Sequence, residues 1–384
     1  HIKNFGCFLL WIIRNRGVEG MAKKNLKYLK IIFALLFFCL YFVSKSESKE
    51  VEVVFFKEKG ELFQRWDKLF AEHELINFVF QNQVLSGFGL IGINSKGDYF
   101  LYSRIAEKIM QFDNKGNFKR LIGARGQGPG EYQLIGNSFF DREDNLYVYD
   151  ISTRTISIFA YPGYQYVKQI RIKSSVNKIF INREGNFITF SLYNVPNLLK
   201  KHDNNGDILI ETFKCEDETL RIAMARFNPG GLGDIPNKGF LFIYPDKYYI
   251  YLYDYNLILK KIYKPRHFSK FYPRAQSFPK DLAPNEFSYE HSKWWDKFLH
   301  PGDIYFLKDK LFLVVLVETE GRFGRFYINL HDLDGITYAR GLEIPYEGRI
   351  VYAQGDYVYI MEDEKFVGGD EFVPTRLHRY KLSL

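Results

Sequence analysis

The chain has 384 residues, 46% of them hydrophobic and 18% aromatic, with 37 Phe and 28 Tyr. That content excludes a disordered chain, and the abundance of rings favours pleated sheet. The formal charge is +8, but residues 1–46 hold eight basic residues against Glu19 alone, leaving 45 basic and 44 acidic residues elsewhere; the basic-surface argument for DNA or RNA therefore fails.

In chain order, residues 1–20 open with His1 and read as an extension upstream of a start at Met21. Residues 21–48 read as a secretory signal: "MAKKNLKYLK" is basic, "IIFALLFFCLYFV" (Ile31 to Val43) is apolar, and "SKSES" is small and polar. The 13-residue apolar run is shorter than the ~20 residues of a spanning helix, so cleavage near Ser46 or Ser48 is expected, with an uncleaved anchor as the alternative. The expected location is outside the cytoplasm: periplasmic, cell-surface or secreted, with no membrane span after cleavage. Beyond Cys7 and Cys39 only Cys215 remains, which rules out an intrachain disulfide and a cysteine metal cluster in the mature chain.

Residues 49–73 form an N-terminal segment in which "GELFQRWDKLF" (Gly60 to Phe70) reads as a short amphipathic helix. "ELINFVF" (Glu74 to Phe80) reads as a strand. Residues 74–384 then repeat. "DYFLYSRIAEKIMQFDNKG" from Asp98 aligns with "NLYVYDISTRTISIFAYPG" from Asn145 at an offset of 47, matching Phe100 to Tyr147, Ile109 to Ile156 and Gly116 to Gly163. Weaker copies bring the units to six, each alternating apolar and polar positions between glycine turns.

Short strands repeated in this way predict an all-β, six-bladed β-propeller. In the first unit the strands are expected at Gly89–Asn94, Asp98–Ser103, Glu107–Asp113 and Asn117–Ile122. The sixth unit runs out after its third strand, so the Glu74–Phe80 segment is expected to supply the fourth and close the ring, with Val51–Phe56 as second choice. Residues 264–301 form an insertion between blades four and five, helical near Pro284–His300.

The stretch "GARGQGPGEY" (Gly123 to Tyr132) joins blades one and two. It lacks the Lys-Ser/Thr of a phosphate loop and the following helix of a dinucleotide fingerprint, so it reads as a structural turn, or as a turn that also presents a ligand group. "FDNKGNFKRLIGARGQGPGEYQLIGNSFFDREDNLYVYDISTRTISIF" (Phe112 to Phe159) looks like an NHL-type repeat. It is still more similar to bacterial, typically exported, six-bladed propeller proteins carrying an "IGxxGQGPGEY" signature. The resemblance implies a fold and an exported location, and little chemistry.

Candidate ligand-binding residues come from the two crossings expected to face one another over the channel mouth. The glycine-rich turn offers Arg125, Gln127, Glu131 and Tyr132; the insertion offers His267, Tyr272, Arg274, Trp294 and Trp295. The alternative is a lid whose aromatics pack onto the blades. No metal ligand set and no cofactor are expected. His267, His291 and His300 match no zinc spacing, and calcium at the acidic stretch "EDEKFVGGDEF" (Glu362 to Phe372) competes with a solvated loop. "DREDN" (Asp141 to Asn145) reads as a plain turn. The favoured function is a monomeric binding or scaffold module for a glycan, peptide or protein partner. The alternative is a propeller enzyme, a metal-dependent lactonase-like hydrolase or lyase, with its site at the same mouth.

Overall fold

The structure, a computed structural model, describes residues 51–384 apart from 82, 85–86, 104–106, 194–195, 226, 228, 287, 321–322, 346–347, 363–364, 369–370 and 374. The leader and the upstream extension lie outside the described residues. Residues Val51–Leu384 form one compact unit.

Six antiparallel sheets stand in a ring, each first strand packing beside the first strand of the next blade, and the sixth beside the first. Blade one comprises Phe88–Ile93, Tyr99–Ser103, Lys108–Phe112 and Phe118–Ile122, within a residue or two of the expected strands. The period-two alternation explains how one blade serves two neighbours: Tyr99 and Leu101 pack toward blade six, and Phe100 between them packs toward blade two. Six buried clusters fill the six seams in this way.

The turns repeat as well. Asp113, Asp141, Asp203, Asp254 and Asp332 each accept two backbone N–H groups, from the residues two and four places on. Asn94 and Asn182 do the same. A short side-chain oxygen that satisfies the turn's own donors fixes each reversal locally. "DREDN" is such a turn. His202 and His331, equivalent in their blades, are fully buried; His202 meets Thr189 and the Gly206 carbonyl, and His331 meets Thr337 and Tyr248.

The N-terminal side does more than close the ring. Glu52–Phe55 adds a fifth strand, parallel, to blade four, and Lys57–Phe63 adds one to blade five. A short helix, Trp66–Leu69, follows; the strand Phe70–Ile76 then completes blade six, antiparallel to Arg376–Leu382. Closure by an N-terminal strand thus holds, but over Phe70–Ile76 and not Glu74–Phe80. The expected helix over Gly60–Phe70 shrinks to its last turn, because the open strand edge of blade five takes up the preceding residues as far as Phe63. We call residues 51–76 the strap.

Each part of the strap pins a seam. Phe56 lies between blades four and five, stacked 4.0 Å from the His331 ring and ringed by Tyr248, Tyr263 and Tyr272. Leu69 and Phe70 fill the seam between blades five and six, and Ile76 fills that between six and one.

The insertion is partly helical, over Tyr289–Trp295, with Ser288 as N-cap accepting from the His291 N–H at 3.2 Å. It meets a helix the sequence reading did not identify, Glu218–Ala225, in the crossing from blade three to four. Leu220, Ala223 and Met224 pack there against Phe278, Trp294 and Trp295.

The glycine-rich crossing is a pinned turn. The Glu131 carboxylate accepts the Gly128 N–H at 2.7 Å, and a Cβ on Gly126 would collide with that carboxylate. Gly123 has φ +62°, and a Cβ there would lie 2.7 Å from the Tyr132 ring. Buried Tyr132 donates its hydroxyl proton to the Ile122 carbonyl at 3.0 Å and accepts the Ile109 N–H at 2.8 Å. The signature residues therefore lock blade one to blade two.

Two stability measurements check these assignments. Leu69→Ala is expected to cost about 2–5 kcal/mol by opening a cavity in the closing seam, read as a lower urea midpoint. Tyr132→Phe is expected to cost about 1–3 kcal/mol by stranding the Ile109 N–H, with an unchanged denaturant slope.

Candidate functional site

The channel wall is made by the six first strands, so its chemistry is that of their inward-facing residues. Two chambers follow one another along the axis. The first, about 350 Å³, lies where the first strands begin. It is bridged by an ion pair from Lys178 of blade three to Asp303 of blade five, 2.7 Å long, and Asn137 donates to the Asn177 carbonyl at 2.9 Å. Ser138, Leu232, Tyr305 and Tyr352 border both chambers and form the waist between them.

The second chamber, about 590 Å³, lies where the first strands end, and residues of all six blades line it. Phe140, Phe180, Tyr305, Phe306 and Tyr352 give it an aromatic wall. Its mouth widens between blades two, three and four into a pocket lined by Arg142, Tyr147, Asn182, Arg183, Asp234 and Tyr255 among others.

Two side chains in this pocket are unusual. Asp234 is a carboxylate in the otherwise apolar strand "GLGDI" (Gly231 to Ile235). Burial pushes its acid group up to about 6, against the pull of a 2.6 Å hydrogen bond donated by the Tyr255 hydroxyl and of the Arg142 charge. Asn182 is 6% exposed; its carbonyl oxygen serves the turn, while its amide nitrogen is buried without a partner. The equivalent Asn94 donates to the Tyr164 hydroxyl of the following blade at 3.1 Å. In blade four the tyrosine of the third turn, Tyr255, is committed to Asp234 and the Ile235 carbonyl instead.

The pocket thus offers a half-buried carboxyl, a stranded amide donor and two exposed guanidinium groups beside aromatic rings. Among the described residues no three His, Cys, Asp or Glu side chains are grouped to hold a metal ion.

The residues expected from the sequence fall elsewhere, and none of the nine lines either chamber. Arg125 is exposed and ion-paired with Glu107, and Gln127 is exposed. Glu131 and Tyr132 are engaged in the turn. Tyr272 is buried with Phe56, its hydroxyl 3.3 Å from that of Thr337. Trp294 and Trp295 are buried in the cap formed by the insertion and the helix Glu218–Ala225, where Trp294 donates to the Gln276 carbonyl at 3.3 Å. His267 and Arg274 are exposed on the outer rim.

His291 is wedged between the Glu286 and Ala223 carbonyls, and His300 lies under Trp295, its imidazole pushed down to about 3 by burial. Of the acidic stretch, Glu362 accepts from His378 at 3.4 Å; Asp363, Glu364 and Asp370 lie outside the described residues. The sequence signals that would have pointed to the pocket are a carboxylate inside the inner strand of blade four and the arginines of two first turns, Arg142 and Arg183.

No curated protein matches the chain. Among solved structures, the fold is similar to a Bacteroides fragilis NCTC 9343 protein named as exported, with a TM-score of 0.60, 14% identity, and coverage of 86% of this chain and 100% of that one. It is also similar to a member of the duf4221 family from Bacteroides vulgatus, with a TM-score of 0.51, 11% identity, and coverage of 84% and 98%. Residues 43–294 match the family described as DUF5128, 6-bladed beta-propeller. The chain, with its six sheets in a closed ring, belongs to that family.

Proposed function

We propose that the protein is an exported binding module that holds a glycan at the pocket between blades two, three and four. The observation that carries this reading is the stranded Asn182 amide in the lining of the same pocket as the Asp234 carboxyl. A ligand hydroxyl both donates and accepts, so neighbouring hydroxyls of one sugar satisfy the carboxyl and the amide together. The aromatic wall supplies faces for the apolar side of the ring, and Arg142 and Arg183 supply further donors. Export rests on the basic and apolar leader. A peptide would meet the same groups through its amides, and is the outcome that a glycan screen must exclude.

The direct test is a glycan and peptide array followed by calorimetry on Asn182→Asp. The variant keeps an oxygen to cap the turn and replaces the amide donor with a charged carboxylate oxygen that can only accept. A glycan bound by the wild type is expected to lose at least about tenfold in affinity, the worth of one good hydrogen bond to a buried group. Unchanged affinity removes the reading, and so does a protein that takes peptides alone.

Asp234 gives an independent check through pH. The folded carboxyl keeps its proton up to about 6, whereas an unfolded one releases it near 3.8. Between those values the folded state holds more protons, so this group's contribution to stability falls as pH rises. Asp234→Asn is therefore expected to stabilise the protein at pH 7, by about 1–3 kcal/mol, with a gain that fades as pH falls toward 4. Urea titrations at both pH values read it.

A further inference from the structure

On the outer rim of blade four lies a surface that the channel does not use. Phe55, at the end of the strap's first strand, and Phe268, at the start of the insertion, each remain 39% exposed. Tyr249 stacks on Phe268 with ring centroids 5.9 Å apart. Three cations lie over these rings: Lys264 at 5.1 Å from Phe55, Arg266 at 5.5 Å from Phe55, and Arg274 at 5.6 Å from Phe268.

Nearby bases are neutralised: Lys261 by Glu52, Lys247 by Glu216 and Asp246, Lys270 by Glu318. Among the described residues, Lys264, Arg266 and Arg274 form no ion pair with a carboxylate. They are a local excess of positive charge on a unit whose charges otherwise almost cancel.

We propose that this rim docks on a membrane surface rich in anionic phospholipid. Guanidinium and ammonium groups interleaved with half-exposed rings suit the headgroup layer, where phosphates meet the cations and the rings enter the polar–apolar boundary. The rim's place in the chain agrees: only 11 residues lie between Val43, the end of the apolar run, and Phe55, a reach of at most about 40 Å. The strand that carries Phe55 is thus the first strand of the folded unit in chain order. Docking there leaves the mouth between blades two, three and four, at the other end of the strands, free for its ligand.

The test is flotation of the chain from Val51 to Leu384, a compact unit lacking the apolar leader, with phosphatidylcholine vesicles containing or lacking phosphatidylglycerol. Binding is expected to be at least about tenfold stronger to the anionic vesicles and to vanish at high salt. Arg266→Glu with Arg274→Glu is expected to abolish it. Lys115→Glu with Lys168→Glu, on blades one and two, is expected to leave it intact. If the charge-reversed variant fails to fold, Arg266→Gln with Arg274→Gln replaces it, with at least a threefold loss expected. Equal binding to neutral vesicles, binding that survives the rim substitutions, or capture by dextran sulfate without vesicle binding overturns the proposal.

Discussion

A ring of sheets is stable only if the last sheet finds a partner for the first. Every seam here is filled from both sides by alternating side chains, so a missing outer strand at the final blade would expose two seams at once. The strap answers that constraint three times. Phe56, Leu69 with Phe70, and Ile76 each enter a different seam, so closure is distributed over three interfaces. The loops and the channel chemistry depend on this circle being held, because the chambers exist only while six first strands stay at a fixed distance from one axis.

The fold was legible for a local reason. Strand alternation and the Asx turn are both written within five residues, and a turn such as Asp113–Asn117 satisfies its own donors without help from any other blade. The strap was only partly legible. Val54 and Phe56 alternate like any strand, but nothing near them says which of six open edges they join. The choice is made by shape at a distance, where Phe56 meets the rings of Tyr248, Tyr263, Tyr272 and His331. The helix Glu218–Ala225 escaped notice because its partners, Trp294 and Trp295, lie some seventy residues away and decide its burial.

The candidate site shows the same division. Aromatic and glycine-rich stretches drew the eye to the two long crossings, yet their conspicuous residues are structural: Tyr132 ties two blades, and Trp294 and Trp295 fill the cap. The pocket depends instead on a single difference between equivalent turns. Asn94 has a tyrosine hydroxyl from the next blade; Asn182 does not, because Tyr255 is bound to Asp234. No sequence pattern records where a hydroxyl points. A stranded donor and a carboxyl held above its ordinary range both cost stability, and here the two line one pocket at the mouth of the channel.

The strap also sets an order of events. Residues 52–76 leave the ribosome before any blade is made, yet their partners are Lys261–Lys264, Ile336–Ala339 and Leu377–Leu382. Contacts that span two to three hundred residues carry a large closure entropy, and the last of them, with Leu377–Leu382, waits for the far end of the chain. The strap, made before every blade, is fully paired only after the last one, so the circle locks only when the whole polypeptide is on one side of whatever barrier it crosses.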